Sequence, residues 1–569
     1  MRYLILASDF DGTLATHGTV EASTLSAIDH LLDSGRKLLL VTGREIEDLK
    51  KVFPELDRFQ LVVAENGGLL YNPKSREERS LAEPPNPAFL NELTTRGVPY
   101  SVGRGVVATW EPHQTEVFHA IRQLGLELQV SFNKGAVMVL PSGINKQTGL
   151  CAALEELRMS VHNVVGIGDA ENDHVFLSAC ECGVAVANAL PSLKERADFV
   201  TIHNHGAGVS ELIQRLVEDD LASLDAVLKR NHITLGNRLD GEPIRILAQR
   251  GSLLFAGPSG SGKSTAATGV LEAVAEDEYQ FCLVDPEGDY EDFMGAVQFG
   301  SPRSAPEVNQ VRNALEDPKQ NVVVNLLDVP IKDRPLFFAA LLPQVLDLRA
   351  RTGRPHWVVV DEAHHMLPSS WVPAASTVSQ SLGGMVFITV HPESMAAAAL
   401  ENVNIAVAVG KEPEKTLGGF AKVLSIEVPA MPKGTLEAGQ GVVWDRSSGQ
   451  PSTVVKLCEA KAERRRHLRK YADGSLGPDK SFYFRGPQGK LKLRAHNLHI
   501  FNRMAEGVDD ETWLFHLRES DYSRWFRECI KNPELADEAE AIEKRNGDDA
   551  AVSRKAILAA VEHYYTAAE

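Results

Sequence analysis

The stretch Gly257-Pro258-Ser259-Gly260-Ser261-Gly262-Lys263-Ser264 lies near the middle of the chain, between an apolar run and a helical pattern. The apolar run is residues 253–256, and Thr265-Ala266-Ala267 follows the stretch. A strand, a glycine-rich turn, Lys-Ser and a helix, in this order, form the context in which the pattern binds phosphate. Backbone N–H groups of the turn and the helix N-terminus then face an anion. The stretch therefore predicts a phosphate-binding loop rather than a glycine-rich turn without a ligand.

Side chains and backbone groups of this loop have different expected roles. Lys263 would reach the β- and γ-phosphates of a nucleotide, and the Ser264 hydroxyl would ligate Mg²⁺. ATP with Mg²⁺ is therefore the expected ligand of the loop. The remaining ATP-binding residues are predicted to be Gly257, Ser259, Gly260, Ser261, Gly262 and Thr265.

Two later strand patterns end in the polar groups that such a site needs. Residues 357–360 are apolar and lead into Asp361 and Glu362, and another strand pattern ends at Thr389 and His391. Asp361 is expected in the Mg²⁺ shell, and Glu362 is expected to polarise the attacking water. Thr389 and His391 are expected to support the site by sensing the γ-phosphate.

Strand patterns alternate with helices across residues 233–450, which predicts an α/β domain with a mainly parallel sheet. This block resembles the HerA–FtsK group of ring-forming ATPases. The resemblance implies ATP hydrolysis and a homo-oligomer, with a ring as one form, although His391 stands where that group usually has glutamine. The matching points are the loop 257–264, Asp285-Pro286-Glu287-Gly288-Asp289-Tyr290, Arg354-Pro355-His356-Trp357 and Asp361-Glu362-Ala363-His364. The candidates for an arginine that reaches a neighbour's ATP are Arg303, Arg349, Arg351 and Arg354, although a surface salt bridge is the favoured role for each.

The first block of the chain carries acids directly after a buried strand pattern. Residues 3–8 deliver Asp9 and Asp11 to the carboxyl end of that strand, where ligands bind in open α/β sheets. One carboxylate can attack phosphorus covalently, and a second can supply general acid–base help. The Asp11-Gly12 pair is also typical of turns, so this motif alone is only moderately specific.

Three more polar clusters follow, each at a predicted strand end or helix start. Thr42-Gly43-Arg44 follows an apolar run, and its hydroxyl and backbone N–H groups can hold a phosphoryl oxygen. Lys146 begins a predicted helix and can offset phosphate charge. Asp169, Asn172 and Asp173 follow another strand pattern and offer the hard oxygen ligands that Mg²⁺ prefers.

Residues 1–215, which hold these four motifs, resemble a haloacid dehalogenase superfamily phosphatase of the Cof-like class. Ala64-Glu65-Asn66-Gly67-Gly68 also matches a segment typical of that class. The resemblance implies a Rossmann-like α/β core, with Asp9 as nucleophile and Asp11 as general acid and base. It implies that Thr42 and Lys146 bind the phosphoryl group, with Gly43, Arg44 and Asn172 in support. The implied Mg²⁺ ligands are Asp9, the backbone of Asp11, Asp169 and Asp173.

A small α+β cap, inserted between the second and third motifs, would occupy about residues 72–140. Because that length is short for a cap of this kind, we expect an open active site. Caps line the entrance to a site and thereby select substrates. Four cap residues are open to two interpretations, contact with substrate or an ordinary surface role, and the second is favoured for each: Arg96, Arg104, Trp110 and His113.

The C-terminal residues 459–569 are predicted to form a small, mainly helical module with basic and aromatic residues. Its basic residues could grip nucleic acid or face acidic parts of the same chain, and the second interpretation is favoured. His203 and His205 precede a predicted helix over 209–228, and we interpret them as a polar loop rather than a metal site. The boundary between the first two domains is expected between about 215 and 235.

Bulk properties limit the classes of function. The net charge of −18 over 569 residues argues against wholesale non-specific DNA binding. Six cysteines in a chain of this length indicate reduced thiols in a cytoplasmic protein. Residues 1–7 are too short for a signal peptide, and no apolar run is long enough to span a bilayer, so no membrane partner is expected.

The sequence favours a bifunctional enzyme with a Mg²⁺-dependent phosphomonoesterase and an ATPase, one of which regulates or feeds the other. Its expected substrate is a small phosphorylated metabolite. One alternative is a nucleic-acid end processor, in which the phosphatase trims phosphates and the phosphate-loop domain is a kinase or motor. The other is an ATP-gated assembly or defence platform, in which the phosphatase fold senses a metabolite.

Overall fold

A computed structural model gives the fold of the chain in two compact units. Unit 1 comprises Met1–Pro286 and Gly295–Cys458, and unit 2 comprises Glu287–Met294 and Glu459–Glu569. None of the helices in the described part of the chain is long and apolar enough to cross a bilayer. The described residues are 1–225, 232–248, 251–290, 293–372, 383–432, 434–461, 471, 476–477, 480–530, 532–545 and 549–565.

The N-terminal half of unit 1 contains a core sheet and a small cap sheet. Its strands are β1 (Ile5–Ser8), β2 (Lys37–Val41), β3 (Leu61–Ala64), β4 (Leu69–Asn72), β5 (Glu77–Ser80), β6 (Ser101–Val102), β7 (Val107–Trp110), β8 (Leu128–Asn133), β9 (Ala136–Pro141), β10 (Val164–Gly168), β11 (Cys182–Ala185) and β12 (Phe199–Val200). Its helices are α1 (Ala22–Asp33), α2 (Ile46–Val52), α3 (Pro87–Thr95), α4 (Gln114–Leu124), α5 (Lys146–Leu157), α6 (His174–Ala179), α7 (Pro191–Arg196) and α8 (His205–Asp219).

The core sheet has eight strands in the order β12-β11-β10-β1-β2-β3-β4-β5. Strand β1 lies at its centre and pairs in parallel with β10 on one side and β2 on the other. Every residue of β1 is buried, which explains its unbroken apolar sequence, because helices cover both faces of such sheets. The chain order therefore changes direction at β1, and ligand sites form at the carboxyl ends of strands at such a point.

The predicted cap range begins too early, because β5 pairs antiparallel with β4 and belongs to the core sheet. Strand β5 is exposed along its length and carries charged side chains, as edge strands do, so its sequence lacks a buried-strand pattern. The predicted helix over 209–228 also differs, since α8 already begins at His205.

The cap is a four-stranded antiparallel sheet in the order β6-β7-β9-β8 with α3 and α4 packed on one face. Side chains alternate along β9, so Val139 packs with the helices while Met138 and Leu140 belong to a second cluster. Helix α3 was not predicted, although Pro87 at its first turn and the capping side chain of Asn86 are both signals for a helix start.

The second half of unit 1 is built on an eleven-stranded sheet with its own hydrophobic core. Its strands are β13 (His232–Arg238), β14 (Pro243–Leu247), β15 (Leu253–Ala256), β16 (Phe281–Asp285), β17 (Val297–Phe299), β18 (Val322–Asn325), β19 (Trp357–Val360), β20 (Met385–Thr389), β21 (Ile405–Val409), β22 (Gln440–Asp445) and β23 (Thr453–Leu457). Its described helices are α9 (Lys263–Glu276), α10 (Val308–Leu315), α11 (Arg334–Thr352), α12 (Ala397–Leu400) and α13 (Pro413–Leu424).

The strands β21-β15-β20-β19-β16-β18-β17 form the parallel part of this sheet, and β22, β23, β13 and β14 continue it antiparallel. Strand β15, which precedes the glycine-rich loop, pairs with β20, and β20 pairs with β19. The polar residues that end β15, β20 and β19 therefore lie side by side at one edge of the sheet.

The two halves of unit 1 meet through a buried polar contact. The Tyr279 hydroxyl lies 3.1 and 2.9 Å from the two carboxylate oxygens of Glu181, and the His162 ring stacks on Tyr279 with 3.7 Å between centroids. His356 packs edge-on against both rings. Arg354 donates to the Arg158 carbonyl at 2.6 Å, which ties the second half to the first.

All of these contact residues lie near the amino ends of strands. His162 and Glu181 come just before β10 and β11, while Tyr279 and His356 come just before β16 and β19. The motif residues lie at the opposite, carboxyl ends of the same strands. The two halves are therefore packed back to back, with their candidate sites facing away from each other.

Unit 2 is mainly helical around an aromatic core. Phe482, Phe501, Tyr522 and Trp525 pack with ring centroids 5.1 to 5.7 Å apart, and Trp513, His516 and Phe526 are also buried. Residues 462–470, which include Arg464, Arg465, Arg466, Arg469 and Lys470, and residues 546–548 lie outside the described residues. The described elements are β24 (Phe482–Phe484), β25 (Leu493–Ala495), α14 (Leu498–Gly507), α15 (Asp510–Arg518), α16 (Asp521–Glu528), α17 (Pro533–Arg545) and α18 (Ala550–Tyr565).

Candidate active sites

Three buried carboxylates and one buried lysine converge at the carboxyl end of the N-terminal core sheet. Asp9 follows β1, Asp169 follows β10, and Asp173 lies in the turn after Asp169. Lys146, the first residue of α5, donates to Asp9 Oδ1 and Asp173 Oδ1, both at 2.6 Å. The sheet order β10-β1-β2 brings together residues that are up to 164 positions apart in the sequence.

The carboxylates of this cluster repel one another in a poorly hydrated place. Oxygen atoms of Asp9, Asp169 and Asp173 lie within 4.8 Å of one another. Burial, opposed by Lys146 and reinforced by Asp173 and Asp169, raises the pKa of Asp9 to about 8. Burial likewise raises the pKa of Asp169. Close, hard oxygen donors with excess negative charge fit a divalent cation such as Mg²⁺.

The second motif lies beside this cluster at the end of β2. Thr42 is buried, and its Oγ1 accepts from the Arg44 backbone N–H at 3.1 Å. Arg44 forms a bidentate ion pair with Asp11, with Nε 2.6 Å from Oδ2 and Nη2 2.7 Å from Oδ1. Arg44 thus fixes the orientation of the carboxylate that the sequence predicts as general acid and base.

The Ala64–Gly68 segment links the core to the cap. Asn172 Nδ2 donates to Asn66 Oδ1 at 3.0 Å, which holds the predicted supporting residue Asn172 in place. Glu65 Oε2 accepts from the backbone N–H of Gly105 in the cap at 2.9 Å. The function of Glu65 and Asn66 was not predicted residue by residue, although the segment was recognised.

The sequence prediction missed three further residues at this site. Asn188 Nδ2 donates to the Gly12 carbonyl at 2.8 Å, and His205 Nδ1 lies 2.8 Å from the same oxygen. These bonds hold the turn after Asp9, which makes His205 a structural residue and not a metal ligand. Lys134, at a turn in the cap, contacts Asp169 Oδ2 with its ammonium group.

The cap touches the core beside this site, but the Asp11 side chain is 38% exposed, and the expected open site stays a prediction. A Cβ atom on Gly43 would lie 3.2 Å from the sulfur of Met138 on β9, so the cap sheet touches the second motif. The four cap residues of unsettled role lie elsewhere: Arg96 pairs with Glu92 and Glu116, Arg104 pairs with Glu78, Trp110 is exposed, and His113 precedes α4.

Comparison with known proteins identifies this half of unit 1. The profile of the haloacid dehalogenase-like hydrolases matches residues 6–105 and 108–213. Phosphoglycolate phosphatase 2 of Saccharolobus solfataricus is 30% identical over 220 residues, which are 38% of this chain and 92% of the relative. The chain belongs to the haloacid dehalogenase-like hydrolases.

Other relatives of this hydrolase are also phosphatases by name. Phosphoglycolate phosphatase of Methanothermobacter thermautotrophicus is 31% identical over 219 residues, covering 37% of this chain and 98% of the relative. The 5-amino-6-(5-phospho-D-ribitylamino)uracil phosphatase of Bacillus subtilis is 24% identical over 238 residues, covering 37% of this chain and 95% of the relative. The predicted haloacid dehalogenase-type phosphatase in the first block is thereby confirmed, while the ATPase lies beyond the matched residues.

In the second half of unit 1, the glycine-rich loop joins β15 to α9. Its backbone takes positive φ at Gly260 (76°) and Gly262 (92°), which glycine adopts without strain. Ser259 and Gly260 are exposed, whereas Lys263 is buried at the start of α9. Ser264 and Thr265 are half-buried in the first turn of the same helix. The loop therefore offers an exposed backbone turn, a lysine and hydroxyl groups together.

Acidic and imidazole groups lie next to this loop at the ends of β19 and β20. Asp361 is buried directly after β19. His364 Nδ1 lies 3.0 Å from Thr389 Oγ1 and 3.5 Å from Glu362 Oε2. Burial, with His365, His391 and Lys263 adding to it, lowers the pKa of His364 to about 4, so the imidazole is neutral at pH 7. The sequence motif contains His364, but its contact with Thr389 was not predicted.

Two predicted roles in this half differ from the structure. The His391 ring pairs with Glu393 at 3.1 Å and is half exposed, and only its backbone N–H reaches Thr389 Oγ1, also at 3.1 Å. Arg354 is buried and bonded to Gln280 and Arg158, and Arg349 donates to the Pro355 and Gly383 carbonyls. Arg349 and Arg354 therefore stabilise the fold, which leaves the exposed Arg303 and Arg351 as finger candidates.

Proposed function

We propose that the chain is a bifunctional enzyme, with a Mg²⁺-dependent phosphomonoesterase in residues 1–215 and an ATPase in residues 233–450. The first activity is supported above all by the buried cluster in which Lys146 bridges Asp9 and Asp173. The second is supported by the loop 257–264 beside Asp361 and Thr389.

Mg²⁺ held by Asp9, Asp169, Asp173 and the Asp11 backbone would neutralise charge on the phosphoryl group. The Asp9 carboxylate attacks phosphorus, the bond from phosphorus to the ester oxygen breaks, and an aspartyl phosphate forms. Asp11 gives its proton to the departing oxygen. Asp11 then takes a proton from the water that attacks phosphorus, which releases phosphate and restores Asp9.

The ion pair with Arg44 constrains this proton transfer. Both Asp11 oxygens accept from Arg44, so the ion pair would hold the Asp11 carboxyl group in one orientation beside the ester oxygen. Thr42 and Lys146 would meanwhile hold the phosphoryl oxygens in line with Asp9. In this proposal Arg44 is a positioning residue and Asp11 transfers the proton.

A small acidic phosphate ester is the proposed substrate class, with 2-phosphoglycolate as its first candidate. The two relatives at 30 and 31% identity are phosphoglycolate phosphatases by name. The position of the cap supports a small ester, because Met138 lies against the second motif and Lys134 contacts Asp169.

In the second half, the loop amides and Lys263 would bind the ATP phosphates, with Ser264 and Asp361 in the Mg²⁺ shell. Glu362 would polarise the attacking water. The neutral His364 ring holds Thr389, which lies between the loop strand and the Asp361 strand. This assignment makes His364 a positioning residue.

Phosphate release from 2-phosphoglycolate with Mg²⁺ tests the first activity. The wild type is expected to release phosphate, and Asp9→Asn is expected to be slower by more than about a thousandfold, because the nucleophile is lost. Asp33→Asn, an exposed residue at the end of α1, is the matched control. Equal rates for wild type and Asp9→Asn would reject the assignment of the nucleophile, and the same assay with sugar phosphates, nucleotides and phosphorylated oligonucleotides compares substrate classes.

ATP hydrolysis tests the second activity in the same preparation. Lys263→Ala is expected to lower both ATP binding and hydrolysis, while Glu362→Gln keeps binding and lowers hydrolysis by about a hundredfold. Lys411→Ala, an exposed lysine near the same sheet, is the control. Full hydrolysis by Lys263→Ala would refute the nucleotide site.

A further inference from the structure

The cap presents one lysine on a rigid two-residue turn. Strands β8 and β9 pair up to Asn133 and Ala136, so the hairpin loop consists of Lys134 and Gly135 alone. Both loop residues have positive φ, 47° and 88°, which matches the tight turns that fit the twist of paired strands. The backbone of Lys134 is therefore fixed by the hairpin, and only its side chain can move.

The Lys134 ammonium lies directly on the hydrolase centre. It contacts Asp169 Oδ2, and a Cβ atom built on Gly12 would be 2.6 Å from Nζ. The Lys134 backbone N–H also faces Glu171 Oε2 at 3.4 Å. The cap thus places a positive charge beside the turn that carries Asp9 and Asp11.

The other cap cations have different surroundings. Among residues 81–141, all of which the structure describes, the remaining Lys and Arg residues are Arg96, Arg104 and Arg122. Arg96 and Arg104 are paired with glutamates, and Arg122 is exposed on α4. Of the Lys and Arg residues in that range, Lys134 is therefore the one whose head group contacts a motif residue, Asp169.

We propose that Lys134 binds a second anionic group of the substrate, so that the hydrolase selects small phosphate esters that carry a carboxylate near the phosphoryl group. This inference rests on the proposed phosphatase function and names the residue that gives it specificity. The Lys134 side chain is 46% exposed, and its flexible stem lets the ammonium shift between partners.

The contact with Asp169 explains why the ammonium is available to substrate. Asp169 Oδ2 is a donor atom in the cluster that fits a divalent cation, and such a cation competes with Lys134 for that oxygen. Once Asp169 is neutralised in this way, the Lys134 ammonium can bind an anionic group of the substrate. The ammonium already contacts a donor atom of the cluster that would hold the phosphoryl group, so a carboxylate within a few bonds of phosphorus is the group that reaches it.

A matched pair of substrates tests the proposal on the full-length protein. 2-Phosphoglycolate and 2-hydroxyethyl phosphate share a carbon skeleton and differ in the carboxylate. Lys134→Gln should lower kcat/KM for 2-phosphoglycolate by about tenfold to a hundredfold, as expected for a lost hydrogen bond between charged groups. It should change kcat/KM for 2-hydroxyethyl phosphate by no more than about threefold, and Lys134→Arg should restore much of the preference.

Arg122→Gln, which removes an exposed cap cation, is the control and should leave the preference unchanged. Calorimetric binding of both esters with Mg²⁺ to Asp9→Asn and to Asp9→Asn/Lys134→Gln gives a second measurement without turnover. Lys134→Gln should weaken binding of the carboxylated ester alone. Lys134→Arg and the thermal melting temperature show whether the fold is intact.

The possible outcomes separate this inference from the function on which it rests. An equal loss on both esters, or a change confined to Mg²⁺ affinity, would overturn the role of Lys134. If wild type released phosphate neither from these two esters nor from the sugar phosphates, nucleotides and oligonucleotides named above, the phosphatase proposal would fail. The binding measurement would still decide about Lys134, because equal affinity of Asp9→Asn for the two esters would contradict carboxylate recognition.

Discussion

The two candidate sites of unit 1 are built for anions in opposite ways. The hydrolase site combines charged side chains from separate strand ends, with Lys146 neutralising Asp9 and Asp173 in a buried place. The glycine-rich loop is one continuous stretch, 257–264, in which Ser259 and Gly260 are exposed. The difference teaches that the first site depends on the global order of strands, while the second depends on local backbone conformation.

This comparison predicts how each site fails. A site of mutually balanced buried charges should lose function when any one charge is removed, because the remaining ones are left uncompensated. Outside Lys263 and Ser264, a loop of backbone donors should tolerate side-chain changes as long as glycine conformations are kept. Substitutions in each site test that contrast.

Asp169→Asn should abolish most phosphatase activity. The substitution removes one of three clustered carboxylate donors, so we expect kcat to fall by at least about a hundredfold. Loss of a residue that only supports a metal ligand usually lowers activity by about tenfold to a hundredfold, so the loss of a ligand itself should cost more. Phosphate release and calorimetric Mg²⁺ binding measure the change, with Asp33→Asn as control. Wild-type activity and Mg²⁺ affinity in Asp169→Asn would show that this carboxylate is not part of the site.

Gly12→Ala and Gly262→Ala form a matched pair, one in each site. At Gly12 (φ 83°) the new Cβ would lie 2.2 Å from Asp169 Oδ2, so the carboxylate has to move, and we expect phosphatase kcat to fall by about tenfold or more. At Gly262 (φ 92°) the Cβ meets nothing within 4 Å, so only backbone strain of about 1–2 kcal/mol remains.

The two rates and the free energies of unfolding measure this contrast. We expect ATP hydrolysis by Gly262→Ala to fall by less than the phosphatase activity of Gly12→Ala. Equal losses in the two sites would contradict the idea that the first site depends on charged side chains and the second on backbone conformation.

Tyr279→Phe tests the contact that joins the two halves. It removes the hydroxyl that bonds both oxygens of the Glu181 carboxylate, and a hydrogen bond to a charged group contributes about 1.5–3 kcal/mol. Urea unfolding of unit 1 should show a loss of that size, whereas Tyr483→Phe in unit 2 serves as the control. Separate unfolding transitions for the two halves in Tyr279→Phe would mean that this contact couples their unfolding. An unchanged transition would contradict the role of this contact.

Acidification should weaken the same contact. Burial, with nearby His162, Arg354 and Arg349, lowers the pKa of His356 well below its usual value, and its Nδ1 accepts the Gln280 N–H at 2.9 Å. An unfolded chain binds a proton at this histidine near pH 6.5, so the unfolded state binds more protons below that pH. The free energy of unfolding should therefore fall by up to about 1.4 kcal/mol per pH unit below pH 6.5.

The difference between wild type and His356→Asn isolates this contribution, because the asparagine carbonyl can still accept the Gln280 bond. The variant should show a flatter pH dependence between pH 7.5 and 5.5. An identical slope in both proteins would mean that His356 is not the group that takes up the proton.

Much of the site in the N-terminal half could be predicted because each motif lies directly at a strand end. Asp9, Thr42 and Asp169 follow β1, β2 and β10, and the carboxyl ends of parallel neighbours meet at one edge. Lys134 could not be found in this way, because its contact with Asp169 depends on how the cap closes. A hairpin tip carries no signal for what lies opposite it.

The prediction was weakest where exposure or tertiary packing overrides a local pattern. The charged strand β5 has no buried-strand signature, and only its partner β4 assigns it to the core sheet. Arg349 and Arg354 resemble surface cations by residue type, but the structure uses them to satisfy backbone carbonyls between elements. Residue type alone cannot separate these roles, because both use the same guanidinium donors.

The back-to-back packing of the two halves determines how the two centres can communicate. Strands of four or five residues span about 15 Å, so two strand lengths, roughly 30 Å of sheet, separate the centres. Because they lie in one chain, the two candidate centres occur in a one-to-one ratio, and the strands between them connect them mechanically.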